Sequence, residues 1–440
     1  MYQKLLKSNI KSIGVWGTGY IGLSTMVYFA KEQIKTIGFD IDVKKVKNIN
    51  EGVLPIPELE SWFGFKIDEL VNDKYLSATS DYKDLINENI IVHFVAIPTE
   101  KDGKPYFDIL EDVLIKIAEL KKIKLEYKPL IIIESTLTPK TTEKMIMPIF
   151  KSHDLKIGND ILFAVAPRRD WFVEGNKSLR ELDRVFGAAD DNSSIETQNV
   201  LEIVCDKLHV ASSYRVSEMV KSIENAYRHM EITLANQLSI AYPDENMREV
   251  LKLVGTKWNI GTFYPGFGSG GYCIPLSSQY VLQEVKDKSK LTLLRETIKT
   301  DNEINILIAK SLINKGYKKI GVLGISYKGN LKVSILSPII PFINELKKNS
   351  IDVELFDPYF SKEEIKKLVN IDTFNFPKDL NKFDAVVVSV DHDEFKDTTM
   401  LKKNLKNCKY ILDNLGVWKN LDFSDLGIDY HISGDKNWIN

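Results

Sequence analysis

The most reactive candidate in the sequence is a cysteine at the end of a glycine-rich segment. Four glycines fall between Gly266 and Gly271, and Cys273 follows two positions later. Glycine lets a backbone turn tightly and approach a ligand closely, and a cysteine thiolate is a strong nucleophile. The segment therefore predicts a substrate-binding loop with a nucleophile at its edge. Taken alone, it fits a surface loop beside a buried structural cysteine equally well, because free cysteine is often buried.

Two polar residues lie one helical turn apart in the stretch 212–241. Apolar residues recur there at helical spacing, which predicts a long central helix. Lys221 and Asn225 are four positions apart and therefore share a helix face. By themselves they are typical of a solvated polar stripe, so a role in a site depends on the rest of the chain.

The N-terminal segment has the order of a dinucleotide-binding unit. An apolar run over 10–16 is followed by the fingerprint GTGYIG, which spans Gly17 to Gly22, and a second apolar run ends in Asp40. In such units the glycines admit a pyrophosphate, the helix N-terminus stabilises its charge and the acid binds the ribose. Asp40 would repel a 2′-phosphate, so the sequence predicts NAD and not NADP. The alternative is a glycine turn in another kind of βα unit.

Polar residues follow three further apolar runs that predict buried strands, which are 90–97, 130–133 and 161–166. Thr99 follows the first run, Thr136 the second, and Arg168 with Arg169 the third. Ligands bind at the carboxyl ends of strands in parallel sheets, so these side chains are candidates to contact cofactor or an anionic substrate. The threonines could equally cap helices, and the arginines could form a solvated rim.

A second α/β alternation begins near residue 318 and lacks a complete glycine fingerprint. It predicts a nucleotide or sugar-nucleotide shelf near Lys328, and we expect His392, at a later strand end, to be a surface residue. The predicted fold is α/β, with two Rossmann-like doubly wound domains joined by a central helical region with a long helix. The expected domains are 1–205, 206–300 and 301–440, the first binding NAD, the second carrying the cysteine loop and the third binding the nucleotide sugar.

Composition excludes several classes of protein. The chain has 440 residues, 44% hydrophobic and 27% charged, with a net charge of −2. This balance gives no support for a nucleic-acid or membrane partner. No apolar run approaches the roughly 20 residues of a membrane span, and the N-terminus lacks a signal core. Three scattered cysteines predict neither disulfides nor a metal site, so we expect a reducing cytoplasm.

Taken in order, the motifs resemble those of the UDP-glucose/GDP-mannose dehydrogenase family, the nucleotide-sugar 6-dehydrogenases. The motifs are GTGYIG with Asp40, EST at 134–136, EMVKSIENAYR, GFGSGGYCIP and VLGISYKGN. The resemblance implies an NAD-dependent enzyme of polysaccharide biosynthesis that oxidises the C6 hydroxymethyl of a nucleotide sugar, with a UDP-sugar favoured, to a carboxylate. It also implies a homodimer formed through the central helix.

The resemblance further implies a role for each candidate residue. Cys273 would attack the C6 aldehyde to give a thiohemiacetal and then a thioester, Lys221 and Asn225 would stabilise its oxyanion, and Thr136 would hold the water network. The implied cofactor-binding residues are Gly17, Gly19, Tyr20, Ile21, Gly22, Asp40, Thr99 and Thr136. The implied substrate-binding residues are Arg168, Arg169, Lys221, Asn225, Phe267, Gly270 and Lys328.

The chain departs from the family pattern at several positions. Ser277 stands where the family has an aspartate that activates water, and Arg168 stands where it has a glutamate, with Glu174 as a possible substitute. Expected arginines are replaced at Asn259 and elsewhere. These changes leave two alternatives open. One is a single-step nucleotide-sugar oxidoreductase without thioester hydrolysis, and the other is a catalytically idle paralogue that binds NAD and a nucleotide sugar.

Overall fold

A computed structural model describes residues 1–170 and 178–439. The chain divides into two compact units, Met1–Glu224 and Asn225–Asn440. Each unit contains a mainly parallel sheet with helices, as the sequence predicts for two Rossmann-like domains and a helical region. Glu174 lies outside the described residues.

The first unit contains a sheet of eight described strands, of which the central ones are buried, and a separate two-stranded hairpin. Its strands are β1 (Ser12–Trp16), β2 (Thr36–Phe39), β3 (Leu76–Thr79), β4 (Ile90–Val95), β5 (Glu100–Lys101), β6 (Lys104–Pro105), β7 (Leu130–Ile133), β8 (Leu162–Val165), β9 (Asp183–Ala188) and β10 (Lys207–Val210). Its helices are α1 (Tyr2–Lys7), α2 (Tyr20–Lys31), α3 (Val43–Asn50), α4 (Glu58–Phe63), α5 (Asp68–Asn72), α6 (Asp108–Ala118), α7 (Met147–Ser152) and α8 (Asp191–Leu201).

The strand order in the described part of this sheet is β10-β9-β8-β7-β4-β1-β2-β3. All neighbours are parallel except β8 and β9, while β5 and β6 form a separate antiparallel hairpin. Apolar side chains from both faces of the sheet pack against helices in two core clusters. Burial on both faces explains why β4 and β7 are continuous apolar runs and not alternating ones. The order reverses between β1 and β4, which is where such sheets bind ligands.

Four helices precede the second sheet: α9 (Tyr214–Ala241), which crosses the boundary between the units, α10 (Met247–Val254), α11 (Cys273–Gln283) and α12 (Thr292–Asn314). The predicted long central helix is therefore confirmed. Helix α11 begins at Cys273, and a break separates it from α12. Pro275 lies in the first turn of α11, where its missing N–H removes no helical hydrogen bond.

The second sheet is parallel throughout its described strands, in the order β13-β12-β11-β14-β15-β16. These strands are β11 (Lys319–Leu323), β12 (Asp352–Phe356), β13 (Asp372–Thr373), β14 (Ala385–Val388), β15 (Tyr410–Asp413) and β16 (Asp429–Ile432). They pack with α13 (Ile339–Lys348) and α14 (Lys362–Val369), and Phe267 of the glycine segment joins the same core. The carboxyl ends of β11 and β14 lie side by side where the strand order reverses.

Candidate active site

The dinucleotide loop joins β1 to α2 and is shaped by its glycines. Gly17 has φ +91°, and a Cβ there would lie 2.6 Å from the Ala96 carbonyl oxygen. A Cβ on Gly22 would lie 1.9 Å from the Gly17 carbonyl oxygen, so glycine is required for close packing of loop and helix. At Gly19, by contrast, a Cβ would meet no described atom within 4 Å. Gly19 is the N-cap of α2 and makes no side-chain cap hydrogen bond, and the start of a helix favours the negative charge of a pyrophosphate.

Asp40 ends β2 beside this loop. Its Oδ2 accepts hydrogen bonds from the Thr18 N–H at 2.9 Å and the Thr18 hydroxyl at 2.7 Å. Burial opposes its ionisation, but hydrogen bonds from Asp42 and Thr18 together with the nearby Lys45 outweigh burial and lower the pKa of Asp40. The ionised carboxylate keeps acceptor capacity for ribose hydroxyls. The residues present therefore fit the adenosine and pyrophosphate parts of NAD.

Thr99 and Thr136 come together at the carboxyl ends of β4 and β7. The Thr99 hydroxyl donates to the Thr136 carbonyl oxygen at 2.6 Å. The Ser135 hydroxyl accepts from the Ile97 N–H at 2.9 Å, which ties the two strand ends a second time. Thr136 is half-buried. Its predicted contact with cofactor and water stays a prediction.

Arg168 lies in an internal ion-pair cluster and not on a solvated rim. Its side chain is buried and binds both carboxylate oxygens of Asp170, at 2.6 and 2.9 Å. It also donates to the hydroxyls of Ser24 and Thr25. Burial opposes its charge, but Asp170 and Glu134 outweigh burial and raise the pKa of Arg168. These internal partners occupy the donors that the sequence assigns to a substrate, and a substrate contact stays a prediction.

Two residues of this region received no role from the sequence. Arg184 is buried and paired with Glu134, which also faces Arg168 at 3.7 Å. Glu224 accepts from the Arg169 Nε at 2.7 Å and from the Lys221 Nζ at 3.2 Å. Glu224 therefore pairs with both Arg169 and Lys221. Its position three residues after Lys221 on a predicted helix is the sequence feature that indicates the pair with Lys221.

Cys273 is the exposed first residue of α11. The Asn225 Nδ2 donates to the Cys273 carbonyl oxygen at 3.3 Å and to the Ser277 hydroxyl at 3.1 Å. Ser277 is buried and donates back to the Cys273 carbonyl oxygen at 2.5 Å. The structure thus joins Asn225 to the start of α11, and Ser277 serves as a link in that contact.

The glycines of the cysteine segment are packed against side chains of their own unit. A Cβ on Gly266 would lie 2.7 Å from Asn414 Oδ1, and one on Gly268 would lie 2.9 Å from Asp301 Oδ1. Cβ atoms on Gly270 and Gly271 would lie 2.5 and 2.7 Å from atoms of Tyr327. At these four positions the space that a Cβ would take is therefore filled by protein atoms. The substrate contact that the sequence predicts for Gly270 stays a prediction.

Two aromatic residues, Phe267 within the segment and Tyr327 beside it, pack close to these glycines. The Phe267 side chain is buried against Phe342, and the two ring centroids lie 5.1 Å apart. The substrate contact that the sequence predicts for Phe267 would therefore be made by its backbone. Tyr327 is partly exposed, and its ring runs along Gly270 and Gly271. Burial raises the pKa of Tyr327, and charge on Cys273 raises it further. Tyr327 therefore carries a protonated hydroxyl near the thiol, which sequence reasoning missed.

His392 supports the loop that carries Lys328, so the expectation of a surface histidine is wrong. It is fully buried; its Nδ1 accepts from the Asn330 N–H at 2.8 Å and its Nε2 lies 3.3 Å from Asp357 Oδ2. Asp357 also accepts from the Ile325 N–H at 2.8 Å. The buried imidazole therefore links the Asn330 backbone to the Asp357 carboxylate. The predicted nucleotide contact of Lys328 itself stays a prediction; burial lowers the pKa of Lys328 while Asp391 opposes the shift.

These observations define a class. A complete dinucleotide loop on one parallel sheet, and a second parallel sheet with a braced loop at its reversal point, are typical of two-domain nucleotide-dependent oxidoreductases. Within the described residues, no group of three or more His, Cys, Asp or Glu side chains could hold a metal ion.

Comparison with protein-family models identifies the family within this class. The NAD binding domain of the UDP-glucose/GDP-mannose dehydrogenase family matches residues 11–205, its central domain matches 215–303 and its UDP binding domain matches 321–420. The chain therefore belongs to the UDP-glucose/GDP-mannose dehydrogenase family. NAD is its cofactor, and its reaction class is NAD-dependent oxidation of a nucleotide sugar.

Individual relatives agree over nearly the whole chain. Protein CapL of Staphylococcus aureus is 30% identical over 429 residues, which cover 92% of this chain and 96% of CapL. The UDP-N-acetyl-D-mannosamine dehydrogenase of Methanococcus aeolicus is 29% identical over 460 residues, 99% of this chain and 98% of that protein. The solved structure of UDP-D-ManNAc dehydrogenase from Pyrococcus horikoshii superposes with a TM-score of 0.82 at 27% identity, covering 97% of this chain and 100% of that one.

Proposed function

We propose that the protein oxidises the C6 hydroxymethyl of a UDP-N-acetylamino sugar to a carboxylate in two hydride transfers to NAD, with Cys273 as the nucleophile. The observation that carries the proposal is the contact of Asn225 with the start of α11, where Cys273 is exposed. A predicted oxyanion donor and the predicted nucleophile are thus held together. The names of similar proteins favour an N-acetylamino sugar over UDP-glucose.

When bound, NAD accepts a hydride from C6. The loop from Gly17 to Gly22 and the start of α2 would hold its pyrophosphate, and Asp40 would bind its ribose. The Cys273 thiolate then attacks the C6 aldehyde, so that a C–S bond forms and the carbonyl electron pair moves to oxygen. We assign the stabilisation of that oxyanion to Lys221 and Asn225, which requires the Asn225 Nδ2 to give up its hydrogen bond to the Cys273 carbonyl or to the Ser277 hydroxyl.

A second hydride loss converts the thiohemiacetal to a thioester. Water then adds to the thioester carbon, the C–S bond breaks, and the thiolate and the sugar carboxylate are released. For this step Ser277 offers a hydroxyl that is buried and already bonded to the Cys273 carbonyl, and a serine hydroxyl is a poor general base at neutral pH. We therefore assign to the network around Thr136 the positioning of that water, and not its deprotonation.

The ratio of NADH formed to sugar consumed separates the proposal from its alternatives. The full-length protein should be supplied with NAD and, separately, UDP-N-acetylmannosamine, UDP-N-acetylglucosamine, UDP-glucose and GDP-mannose. Two NADH per N-acetylamino sugar support the proposal. One NADH supports a single-step oxidoreductase. Binding of NAD and UDP-sugar, seen as melting shifts, without any NADH supports an idle paralogue.

We further propose that α9 forms a homodimer interface. On the part of α9 that follows residue 224, polar side chains such as His229 and Asn236 are buried, whereas Tyr227 and Leu234 are 63% and 54% exposed. This pattern is the reverse of that of an ordinary surface helix, and an exposed apolar stripe is typical of an association surface. A second copy would cover it. Leu234→Glu should convert the dimer to monomer in light scattering, and an unchanged mass would contradict the proposal.

The remaining assignments follow from the same proposal. We retain 1–205 as the NAD-binding domain, 206–300 as the helical domain and 301–440 as the nucleotide-sugar domain, and we place the enzyme in the cytoplasm in polysaccharide biosynthesis. Among the described residues, none of the helices is both long and apolar enough to span a bilayer. Expression of the separate segment 1–205 should give a folded protein that binds NAD, and a failure to bind NAD would contradict the first boundary.

A further inference from the structure

A buried polar cluster lies within the second unit, next to the glycine segment. His229 Nε2 is 3.0 Å from Asp301 Oδ2, and His229 Nδ1 is 2.8 Å from the Ser278 hydroxyl. Asp301 also accepts two hydrogen bonds from Ser269, from its N–H at 2.9 Å and from its hydroxyl at 2.5 Å. His229, Ser278 and Asp301 are all buried. The sequence assigns none of these four residues a function.

The cluster joins three segments that the proposed reaction uses. His229 lies on α9 one turn after Asn225, Ser278 lies on α11, which starts at Cys273, and Ser269 belongs to the glycine segment. An imidazole is rigid and binds through both ring nitrogens. His229 therefore fixes the spacing between α9 and α11 and, through Asp301, the position of the glycine segment. Because Ser278 is fully buried, this arrangement of serine, histidine and aspartate is not a hydrolytic site.

The backbone of the glycine segment is adapted to this cluster. Gly268 has φ +102°, and a Cβ there would lie 2.9 Å from Asp301 Oδ1. A side chain at residue 268 would be strained by its backbone angle and would press on the carboxylate. A buried carboxylate must also be compensated by donors or an opposite charge, and Ser269 with His229 supplies them. The loop conformation and the His229–Asp301 pair therefore depend on each other.

We propose that His229 and Asp301 are positioning residues that hold the glycine segment and the start of α11 in the geometry that Cys273 needs for attack. The proposal rests on the proposed function of Cys273. It assigns His229 no contact with substrate and no proton transfer. Its effect acts through Ser278 on α11 and through Ser269 on the loop.

The first test needs no substrate. In the full-length protein, amide hydrogen exchange over 264–272 and the rate of Cys273 alkylation by iodoacetamide are measured for wild type, His229→Ala, Asp301→Ala and the double variant. We expect the exchange rate over 264–272 to rise about tenfold and the alkylation rate of Cys273 to change about fivefold or more. The double variant should show no larger effect than either single variant. His431→Asn is the matched control, because His431 pairs with Asp429 at 2.9 Å in the same unit, and it should stay within twofold of wild type.

The second test measures turnover with NAD and UDP-N-acetylmannosamine. A misplaced nucleophile lowers kcat by about 100-fold in His229→Ala, while the KM for NAD stays unchanged. Asp301→Asn keeps an oxygen for the Ser269 N–H and should fall between wild type and Asp301→Ala; it carries the test if either alanine variant does not fold. Wild-type exchange and alkylation in the variants, or additive losses in the double variant, would overturn the proposal. If wild type turns over no UDP-sugar, the proposed function fails, and exchange and alkylation still decide the positioning role.

Discussion

The two glycine-rich loops of this chain look alike in sequence and differ in what fills the space around them. In the loop from Gly17 to Gly22, Gly19 faces open space at the start of a helix. In the loop from Gly266 to Gly271, each glycine meets a side chain of the same unit. The first loop leaves room for a ligand, whereas the second is locked by protein around an exposed cysteine. A glycine-rich segment therefore predicts that another group lies close to the backbone, but not whether that group is a ligand or a side chain of the protein.

The largest expected effect tests whether the Arg168 side chain binds substrate or is held by other residues of the protein. Its guanidinium lies between Asp170 and the hydroxyls of Ser24 and Thr25. Arg168→Ala leaves buried carboxylates without their cation, so we expect a loss of about 3–5 kcal/mol in the free energy of unfolding. Urea unfolding measures it. A loss below about 1 kcal/mol together with weaker UDP-sugar binding would instead make Arg168 a substrate ligand.

Within the NAD loop, Gly22 and Gly19 should respond differently to alanine. A Cβ at Gly22 would overlap the Gly17 carbonyl, so we expect Gly22→Ala to destabilise the protein by about 1–3 kcal/mol and to abolish measurable NAD binding. Gly19→Ala should keep wild-type stability and weaken only NAD binding. Calorimetric titration with NAD and thermal unfolding make the comparison. Equal destabilisation by both variants would contradict an open face at Gly19.

In the second loop, a glycine substitution should lower UDP-sugar turnover and leave NAD binding unchanged. Gly270→Ala brings a Cβ to 2.5 Å from Tyr327 Cβ, so the loop must shift around Cys273. We expect about a tenfold or larger loss of UDP-sugar turnover with NAD affinity unchanged. Tyr327→Phe keeps the ring and removes the hydroxyl, and it serves as the matched variant. If Gly270→Ala weakened NAD binding as strongly as turnover, the two loops would not have separate roles.

The smallest effect concerns the charge on Asp40. Its folded-state pKa lies below the ordinary value because of hydrogen bonds and Lys45, so the stability it adds is complete above the unfolded pKa of about 3.9 and is lost as the pH falls through the folded value. The difference in unfolding free energy between wild type and Asp40→Asn should be constant from about pH 7 to pH 5 and shrink below about pH 4. A constant difference down to pH 3 would contradict the account.

Local patterns predicted the fold around the first loop, whereas contacts between residues far apart in the sequence could not be predicted. The strand, fingerprint, helix and terminal Asp40 are adjacent in sequence, so their geometry follows from rules that act within one βα unit. The burial of His392 could not be predicted, because its partners Asp357 and Asn330 lie 35 and 62 residues away. Likewise Asp301 meets Ser269 across 32 residues.

Two further differences come from reading residue types without their partners. The glycines before Cys273 predicted a loop with the cysteine at its edge, and in the structure Cys273 is the first residue of a helix, α11. An arginine after a strand suggested an anion site, but Asp170, two positions later, occupies Arg168 from within the chain. The sequence motifs identified the family correctly, while the contacts around each motif depend on the tertiary fold.

Trapping the covalent intermediate tests the central claim most directly. The protein is mixed with NAD and UDP-N-acetylmannosamine, quenched in acid during turnover and analysed by intact mass and peptide mapping. We expect a sugar-acyl adduct on the peptide that contains Cys273, and we expect Cys273→Ala to form no adduct and to lose about 10⁴-fold or more in kcat. Turnover by Cys273→Ala at a rate near that of wild type, without an adduct, would show that the thiol is not the nucleophile.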